Sequence, residues 1–277
     1  MPEGDTIHRS AARLRSRLAG RTVAAFRAPR LVESGPAAGT EILDVQARGK
    51  FLLVHFADGS TLETHMKMTG SWHIYRRGER WRRSRSSARA VIETDHGWVA
   101  VCFAAPHVKL VRSTGPGVRS ATGHLGPDLC SPDPDLAEAV DRFELRGRAA
   151  PLVDVLLDQR ICCGVGNVYK SEVLFACRLH PLTPVGSVDE AGRSRLVATA
   201  HDQLRRNLEP RARGGRVTTD RVPGGLAVYG RGGLPCVACG ELISSGRLGQ
   251  HHRATYWCPR CQPAPPIEQG RPPSSLS

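Results

Sequence analysis

The sequence predicts a multidomain α+β protein: an N-terminal antiparallel β-sandwich with a leading helix, then a helical half that ends in a cysteine-rich hairpin. Three observations predict it. Short β-rich runs fill residues 41–103, the apolar period turns helical beyond a Pro/Gly-rich joint near residue 130, and two Cys-x2-Cys pairs stand close to the end. With 277 residues, 40% apolar and 23% charged, the chain has material for about two cores, which excludes wholesale disorder.

Each element has its own warrant. Ile7, Ala11, Leu14 and Leu18 recur at i, i+4, i+7 and i+11, one apolar helical face, with Asp5 or Thr6 as the expected N-cap and Gly20 as the stop. After a polar stretch over 28–40, the runs 41–46, 51–56, 61–66, 90–94 and 98–103 read as strands. Asp58-Gly59 and Asp95-His96-Gly97 sit between neighbouring runs as hairpin turns. Gly126-Pro127-Asp128 and Ser131-Pro132-Asp133-Pro134 mark a linker. Helices are expected over 135–143, 152–159, 167–177 and 188–208. A Gly-rich stretch leads to the cysteines, and the Pro/Ser tail is expected to be disordered, so the domains read as 1–126, 127–230, 231–263 and 264–277.

Charge narrows the partner. With 39 Lys+Arg against 26 Asp+Glu the chain carries +13, which suits a polyanion, either nucleic acid or an anionic membrane face. No stretch approaches the ~18 apolar residues of a membrane span, and Met1-Pro2-Glu3 lacks the basic start and apolar run of a secretion signal. A cytoplasmic monomer is expected, nucleoid-associated in a bacterium. Aromatic residues are only 5%, with no cluster suited to stacking RNA bases. Four of the 39 basic residues are lysines, Lys50, Lys67, Lys109 and Lys170. Where Arg is the default cation, a Lys suits what Arg cannot do, such as donating a proton.

Three motifs carry chemistry. Cys236-x2-Cys239 and Cys258-x2-Cys261, eighteen residues apart, can bring four thiolates around one structural Zn2+ per chain, with no open position for water. Cys102, Cys130, Cys162, Cys163 and Cys177 stand in apolar surroundings and read as core. Arg253 lies near the hairpin between the pairs, where a rigid turn presents it to a phosphate. Gly164-Val165-Gly166-Asn167 opens a helix, as an anion grip made of amides or as a plain turn with Asn167 as N-cap; both readings stay open. If Met1 is removed, Pro2 becomes a terminal secondary amine beside Glu3. A reference α-amino group is ~10% neutral at pH 7 against roughly 0.04% for a lysine, and a nearby helix end and Lys50 favour the neutral form further.

Together these pieces resemble the formamidopyrimidine-DNA glycosylase and endonuclease VIII family across nearly the whole chain. The resemblance rests on Pro2-Glu3, on Arg48-Gly49-Lys50-Phe51-Leu52-Leu53, and on Leu157-Asp158-Gln159 running into Gly164-Val165-Gly166-Asn167-Val168-Tyr169 with Glu172 and His180-Pro181. It rests also on the finger carrying Arg253 before Cys258-Pro259-Arg260-Cys261-Gln262. The start, Met1 to Thr6, is similar to the endonuclease VIII branch. The resemblance implies a β-sandwich and a helix-two-turn-helix domain with zinc finger, damaged duplex DNA lying between them. It implies that the Pro2 amine forms a Schiff base and that Glu3 donates a proton. Lys50 then serves β-elimination and phosphate contact, Arg253 phosphate binding and δ-elimination, and Asn167 grips a phosphate.

Other positions shape substrate choice. Met68 in His65-Met66-Lys67-Met68-Thr69-Gly70 fits the plug for the hole left by a flipped base. Ala105-Pro106-His107 lacks the Arg and Phe with which the formamidopyrimidine branch reads the orphan base. Lys67 and His124 stand where the endonuclease VIII branch has Gln and Arg, and both are expected to meet DNA. Seven arginines between Arg76 and Arg89 form either a backbone-tracking arm or a solvated basic loop. The favoured reading is excision of oxidised pyrimidines; the alternatives are a preference for formamidopyrimidines and 8-oxoguanine, or a non-catalytic zinc-ribbon DNA-binding protein.

Overall fold

Helix α1 (Gly4–Leu18) lays Ile7, Ala11, Leu14 and Leu18 into the core of the β-sandwich, against Val23, Ile42, Leu52 and Val54. The computed structural model describes residues 2–31, 34–112, 121–209, 215–222 and 224–265, so the tail expected to be disordered lies, from residue 266 on, outside the described residues. The N-cap of α1 is Glu3 rather than Asp5 or Thr6. Asp5 is withdrawn from capping because its buried carboxylate receives Arg216 Nε and Nη2 at 2.9 and 2.8 Å.

Eight antiparallel strands follow: β1 (Arg21–Arg27), β2 (Glu41–Arg48), β3 (Phe51–Phe56), β4 (Ser60–His65), β5 (Ser71–Arg76), β6 (Ala88–Thr94), β7 (Trp98–Phe103) and β8 (His107–Arg112). Their order is β5-β7-β6-β1-β2-β3-β4-β8. β1 joins the two layers. It pairs with β2 at Arg21↔Ile42, then, across an irregularity between Val23 and Ala25, with β6 at Val23↔Thr94 and Phe26↔Ile92. Such a bulge bends a strand and lets one ribbon fold over itself. Both expected hairpins are present, β3–β4 about Asp58-Gly59 and β6–β7 about Asp95-His96-Gly97. The sequence did not announce β1, β5 and β8. Each mixes polar residues into its buried face, as in Ser71-Trp72-His73-Ile74-Tyr75-Arg76, where the half-buried His73 breaks the alternation.

Beyond the linker, α2 (Leu136–Asp141), α3 (Leu152–Val155), α4 (Asn167–Ala176) and α5 (Glu190–Arg206) enclose a second core that includes Phe143, Leu152, Tyr169, Val173, Leu196 and Leu204. Asp135 and Asp189 cap α2 and α5 through Glu138 N and Gly192 N. The helix expected over 152–159 stops at Val155. Gln159 turns its amide onto the Leu157 and Val165 carbonyls and Asp158 accepts the Arg160 N–H, so side chains take over the backbone partners a helix would use.

A hairpin of β9 (Ser244–Leu248) and β10 (Arg253–Trp257), paired Arg253↔Leu248 to Trp257↔Ser244, closes the chain and packs on α4. Gln262 locks it down: its side chain is buried, donating to Leu179 O at 2.8 Å and accepting from Cys258 N at 3.0 Å. The five scattered cysteines are all buried, and burial pushes the Cys102 and Cys162 thiols up to about 12, as core residues require. Among the described residues no helix is long and apolar enough to cross a membrane.

Candidate active site

The N-terminal segment runs into the mouth of the Gly164–Gly166 turn. Gly4 N donates to Gly164 O at 2.9 Å, and the Glu3 carboxylate, fully buried, accepts from Gly166 N at 3.0 Å, Val168 N at 2.9 Å and Tyr169 N at 3.4 Å. These are orphan amides at the start of α4, whose N-cap residue, Gly166, offers no side chain. A carboxylate there is favoured by the helix dipole as well as by the bonds. A Cβ on Gly166 would stand 2.3 Å from the Glu3 carboxyl carbon, so only glycine admits the contact. Asn167 is therefore not the cap, and the anion these amides grip is the chain's own Glu3 carboxylate rather than a phosphate.

Lys50 is aimed by a second carboxylate. Gly49, at φ +56°, turns the chain between β2 and β3, and Asp128 of the linker fixes that turn by accepting Gly49 N at 2.7 Å, Cys130 N at 2.9 Å and His8 Nε2 at 3.0 Å. Burial alone would raise the Asp128 pKa, but these hydrogen bonds hold it below the usual carboxylate range. Burial lowers the pKa of half-buried Lys50, Glu3 opposing in part, which moves the amine toward its neutral, proton-accepting form.

Pro2, Lys50, Lys67, Met68, Asn167 and Arg253 all line one cleft of about 240 Å³. The turn after β4 carries Lys67 at φ +47° and leaves Met68 61% exposed at its tip. His65, which the sequence reading passed over, also faces the cleft. Its Nδ1 accepts Lys67 N at 3.0 Å, and burial together with Lys67 and Lys50 lowers its pKa to about 4, so it is neutral at pH 7. His124 does not join them. It is exposed on a turn before Leu125, with no partner among the described residues.

The far wall is a seam between α4 and β10. Asn167 Nδ2 donates to Ala254 O at 2.7 Å, and Lys170 Nζ donates to Asn167 Oδ1 at 2.8 Å, Thr255 Oγ1 at 2.7 Å and Ala254 O at 3.3 Å. Lys170, one of the four lysines and assigned no role by the sequence, is fully buried at the centre of this seam. The clues were its retention as lysine among arginines and its place one turn after Asn167. Burial lowers its pKa to about 8, against the opposing pull of Glu3 and Asp154. Asp154 in α3 steadies the β9–β10 turn by accepting Gln250 N at 2.9 Å, and Gly249 is glycine because a Cβ would stand 2.3 Å from that carboxylate. Arg253, first in β10, is thus delivered to the cleft from a braced turn.

Behind it Cys236, Cys239, Cys258 and Cys261 gather their sulfurs within 4.8 Å of one another, with Cys239–Cys261 at 3.4 Å, Cys239–Cys258 at 3.5 Å and Cys236–Cys261 at 3.9 Å. A tetrahedral ion with Zn–S bonds of about 2.3 Å has S–S edges of about 3.8 Å, so the four thiolates fit a zinc ion.

Three family models match: formamidopyrimidine-DNA glycosylase N-terminal domain over residues 1–106, its H2TH domain over 125–219, and the zinc finger found in FPG and IleRS over 233–264. A Streptomyces coelicolor protein named "Probable endonuclease 8 2" is 39% identical over 98% of this chain and 97% of its own. This chain belongs to the formamidopyrimidine-DNA glycosylase and endonuclease VIII family, a family of glycosylase/lyase enzymes. Another relative, the Mycolicibacterium smegmatis "DNA-(apurinic or apyrimidinic site) lyase Nei2", is 38% identical over 95% of this chain and all of its own. Among solved structures of the family, the formamidopyrimidine-DNA glycosylase of Thermus thermophilus superposes with a TM-score of 0.74 at 32% identity, covering 96% of this chain and 100% of that one. The Lactococcus lactis enzyme bound to DNA containing an AP site, 21% identical over 95% of this chain and 100% of that one with a TM-score of 0.77, shares the fold.

Proposed function

We propose that this protein is a bifunctional DNA glycosylase and AP lyase of endonuclease VIII type that removes oxidised pyrimidines from duplex DNA. One observation carries it: Pro2, Lys50 and Arg253, from three separate parts of the chain, open on one cleft with Glu3 fixed behind it. Once Met1 is removed, the Pro2 amine attacks the deoxyribose C1′ of a flipped nucleotide, the glycosidic bond breaks, and the base leaves with a proton. The Glu3 carboxylate, having taken a proton from the Pro2 ammonium to free the amine, delivers it to O4′ as the sugar ring opens, and the proton that leaves with the base is the one the amine nitrogen loses on bonding C1′. The resulting iminium draws electrons from C2′, whose proton is lost as the 3′ phosphate leaves, and a second elimination releases the 5′ phosphate. Lys50, with its lowered pKa, exchanges the proton of the first elimination.

Arg253 serves the second elimination and, with Asn167, Lys67 and Met68, holds the distorted duplex. Zinc on Cys236, Cys239, Cys258 and Cys261 fixes the finger that carries Arg253 and supplies no reacting group. The protein is taken to act as a monomer in the cytoplasm. His124 lies outside the cleft and contacts DNA only on a flank.

Reduction with borohydride in the presence of a thymine-glycol or abasic duplex tests the chemistry. The intact mass should show one adduct on a chain lacking Met1, mapping to Pro2; no adduct, or one elsewhere, overturns it and favours a non-catalytic DNA-binding protein. Relatives named formamidopyrimidine-DNA glycosylase, such as that of Methylococcus capsulatus at 34% identity, support preference for formamidopyrimidines or 8-oxoguanine as the second reading. Side-by-side cleavage of both lesion classes decides between the two.

A further inference from the structure

The segment between β5 and β6 is neither part of the cleft nor explained by it. Residues 76–89 hold seven arginines and one acid, Glu79. Glu79 turns its carboxylate back to Arg76 N at 2.7 Å. Trp81 packs on the outer face of the sheet, its ring 6.2 Å from Tyr75 and 5.7 Å from Phe103, and Tyr75 Oη accepts Arg82 N at 3.1 Å. Arg85 lies over the Trp81 ring, and Ser84 caps a short 3-10 turn behind it. The segment is thus built onto the sheet, which pre-positions the backbone that carries its cations.

Its place is fixed by Arg83. That guanidinium donates to Thr69 O at 3.1 Å and Ser71 Oγ at 2.9 Å, which ties the segment to the turn whose tip, Met68, lines the cleft. At its other end Ser87 O accepts Ala104 N at 2.7 Å, and Ala104 O accepts Thr69 Oγ1 at 3.0 Å, so arm and turn form one surface. Arg80 and Arg82 are exposed and have no side-chain partner among the described residues. Unpaired cations on a rigid mount, beside a groove for a polyanion, are the arrangement that releases condensed counterions on contact with phosphates.

We infer that residues 76–89 form a phosphate-tracking arm that extends the DNA footprint outward from the Met68 turn, with Arg80 and Arg82 as its free contacts. The inference rests on the proposed duplex substrate. It contributes affinity without sequence preference and leaves the chemistry in the cleft unchanged.

The test is binding of an uncleavable tetrahydrofuran-containing duplex as a function of salt, for the wild type and for R80A/R82A. Two lost phosphate contacts should reduce the slope of log K against log salt by about 1.8, so that the wild-type advantage shrinks about twelvefold between about 50 and 200 mM salt. R80K/R82K should keep the wild-type slope, and a duplex trimmed on both flanks to the cleft should erase the difference. Equal slopes for wild type and R80A/R82A, or an undiminished difference on the trimmed duplex, overturn the arm. Borohydride trapping on the same proteins separates the two ideas: a wild type that fails to trap sinks the proposed chemistry, whereas one that traps with unchanged salt slopes sinks only the arm.

Discussion

Lys170 Nζ donates to Asn167 Oδ1 at 2.8 Å, and this bond decides which way the Asn167 amide faces. With the oxygen held by an ammonium, the NH2 group must point along β10 and toward the cleft, where it rests on Ala254 O at 2.7 Å. The same ammonium reaches Thr255 Oγ1, so one buried cation aligns Asn167 of α4 with the strand that begins at Arg253. Asn167 cannot shift against β10 without breaking a charge-assisted bond.

Stability and affinity should therefore respond to pH in opposite directions. Lys170 titrates at about 8 in the fold and at about 10.4 when unfolded, so between these values the unfolded chain binds the extra proton and the burial penalty fades as pH rises. Deprotonation removes a donor from the seam, and DNA affinity should fall over the same window. Lys170→Met should bind a tetrahydrofuran duplex about tenfold more weakly at pH 7, the low end for a lost charge-assisted bond, and should show no affinity step near pH 8. Titration of Kd from pH 6.5 to 9.5 for both proteins checks this; an identical step in the variant would place the titration elsewhere.

Glu3→Gln probes the other buried junction. The Glu3 carboxylate accepts three backbone N–H groups, and an amide would present an NH2 to at least one of those donors. The variant should lose about 1–3 kcal/mol in urea denaturation. It should also excise base about 100-fold more slowly or worse in single turnover, as expected for a lost proton donor. A stability loss with unchanged excision would make Glu3 a structural cap alone.

How much of this was legible follows from the kind of signal each part leaves. The sandwich, the hairpins at Asp58-Gly59 and Asp95-His96-Gly97, and the cysteine cluster are local patterns with a fixed period or spacing, and they read directly. Pro2, Asn167 and Arg253 carried local signals, a terminal amine, a Gly-x-Gly turn and a hairpin between cysteine pairs, but these left alternatives open. Only the resemblance joined them with Lys50 in one site, since nothing local marks residues that act when separate chain segments meet. Lys170 and His65 were missed because their significance lies in burial and in partners such as Thr255 and Lys50, which only the fold supplies. Early termination of α3 was likewise hidden, since it depends on where Gln159 sends its amide.

Zinc removal should disconnect Arg253 from the cleft before it unfolds the remainder. The finger's own core, Val228, Cys236, Ile243 and Cys258, is small, and two of its four members are metal ligands, so the metal contributes much of its folding. A chelator should release about one zinc per chain and change the fluorescence of Trp257, whose ring lies 5.6 Å from His180. Affinity for the tetrahydrofuran duplex should drop at least tenfold, while circular dichroism of the sandwich is kept. Retention of full affinity after stoichiometric zinc loss would show that the finger does not position Arg253.

Met68 offers a way to separate base flipping from chemistry. It stands 61% exposed at the rim of the cleft, on a turn held by the Lys67 N to His65 Nδ1 bond. A plug that occupies the gap left by an extruded nucleotide lowers the cost of unstacking, a few kcal/mol for an intact pair and least where the base is already missing. Met68→Ala should therefore slow excision of a paired oxidised base by about tenfold or more while nicking a preformed abasic site near the wild-type rate. Single-turnover kinetics on matched duplexes, one with thymine glycol and one abasic, give the ratio directly. Equal loss on both would assign Met68 to general DNA contact, because a residue needed only for extrusion has nothing to do once the base is gone.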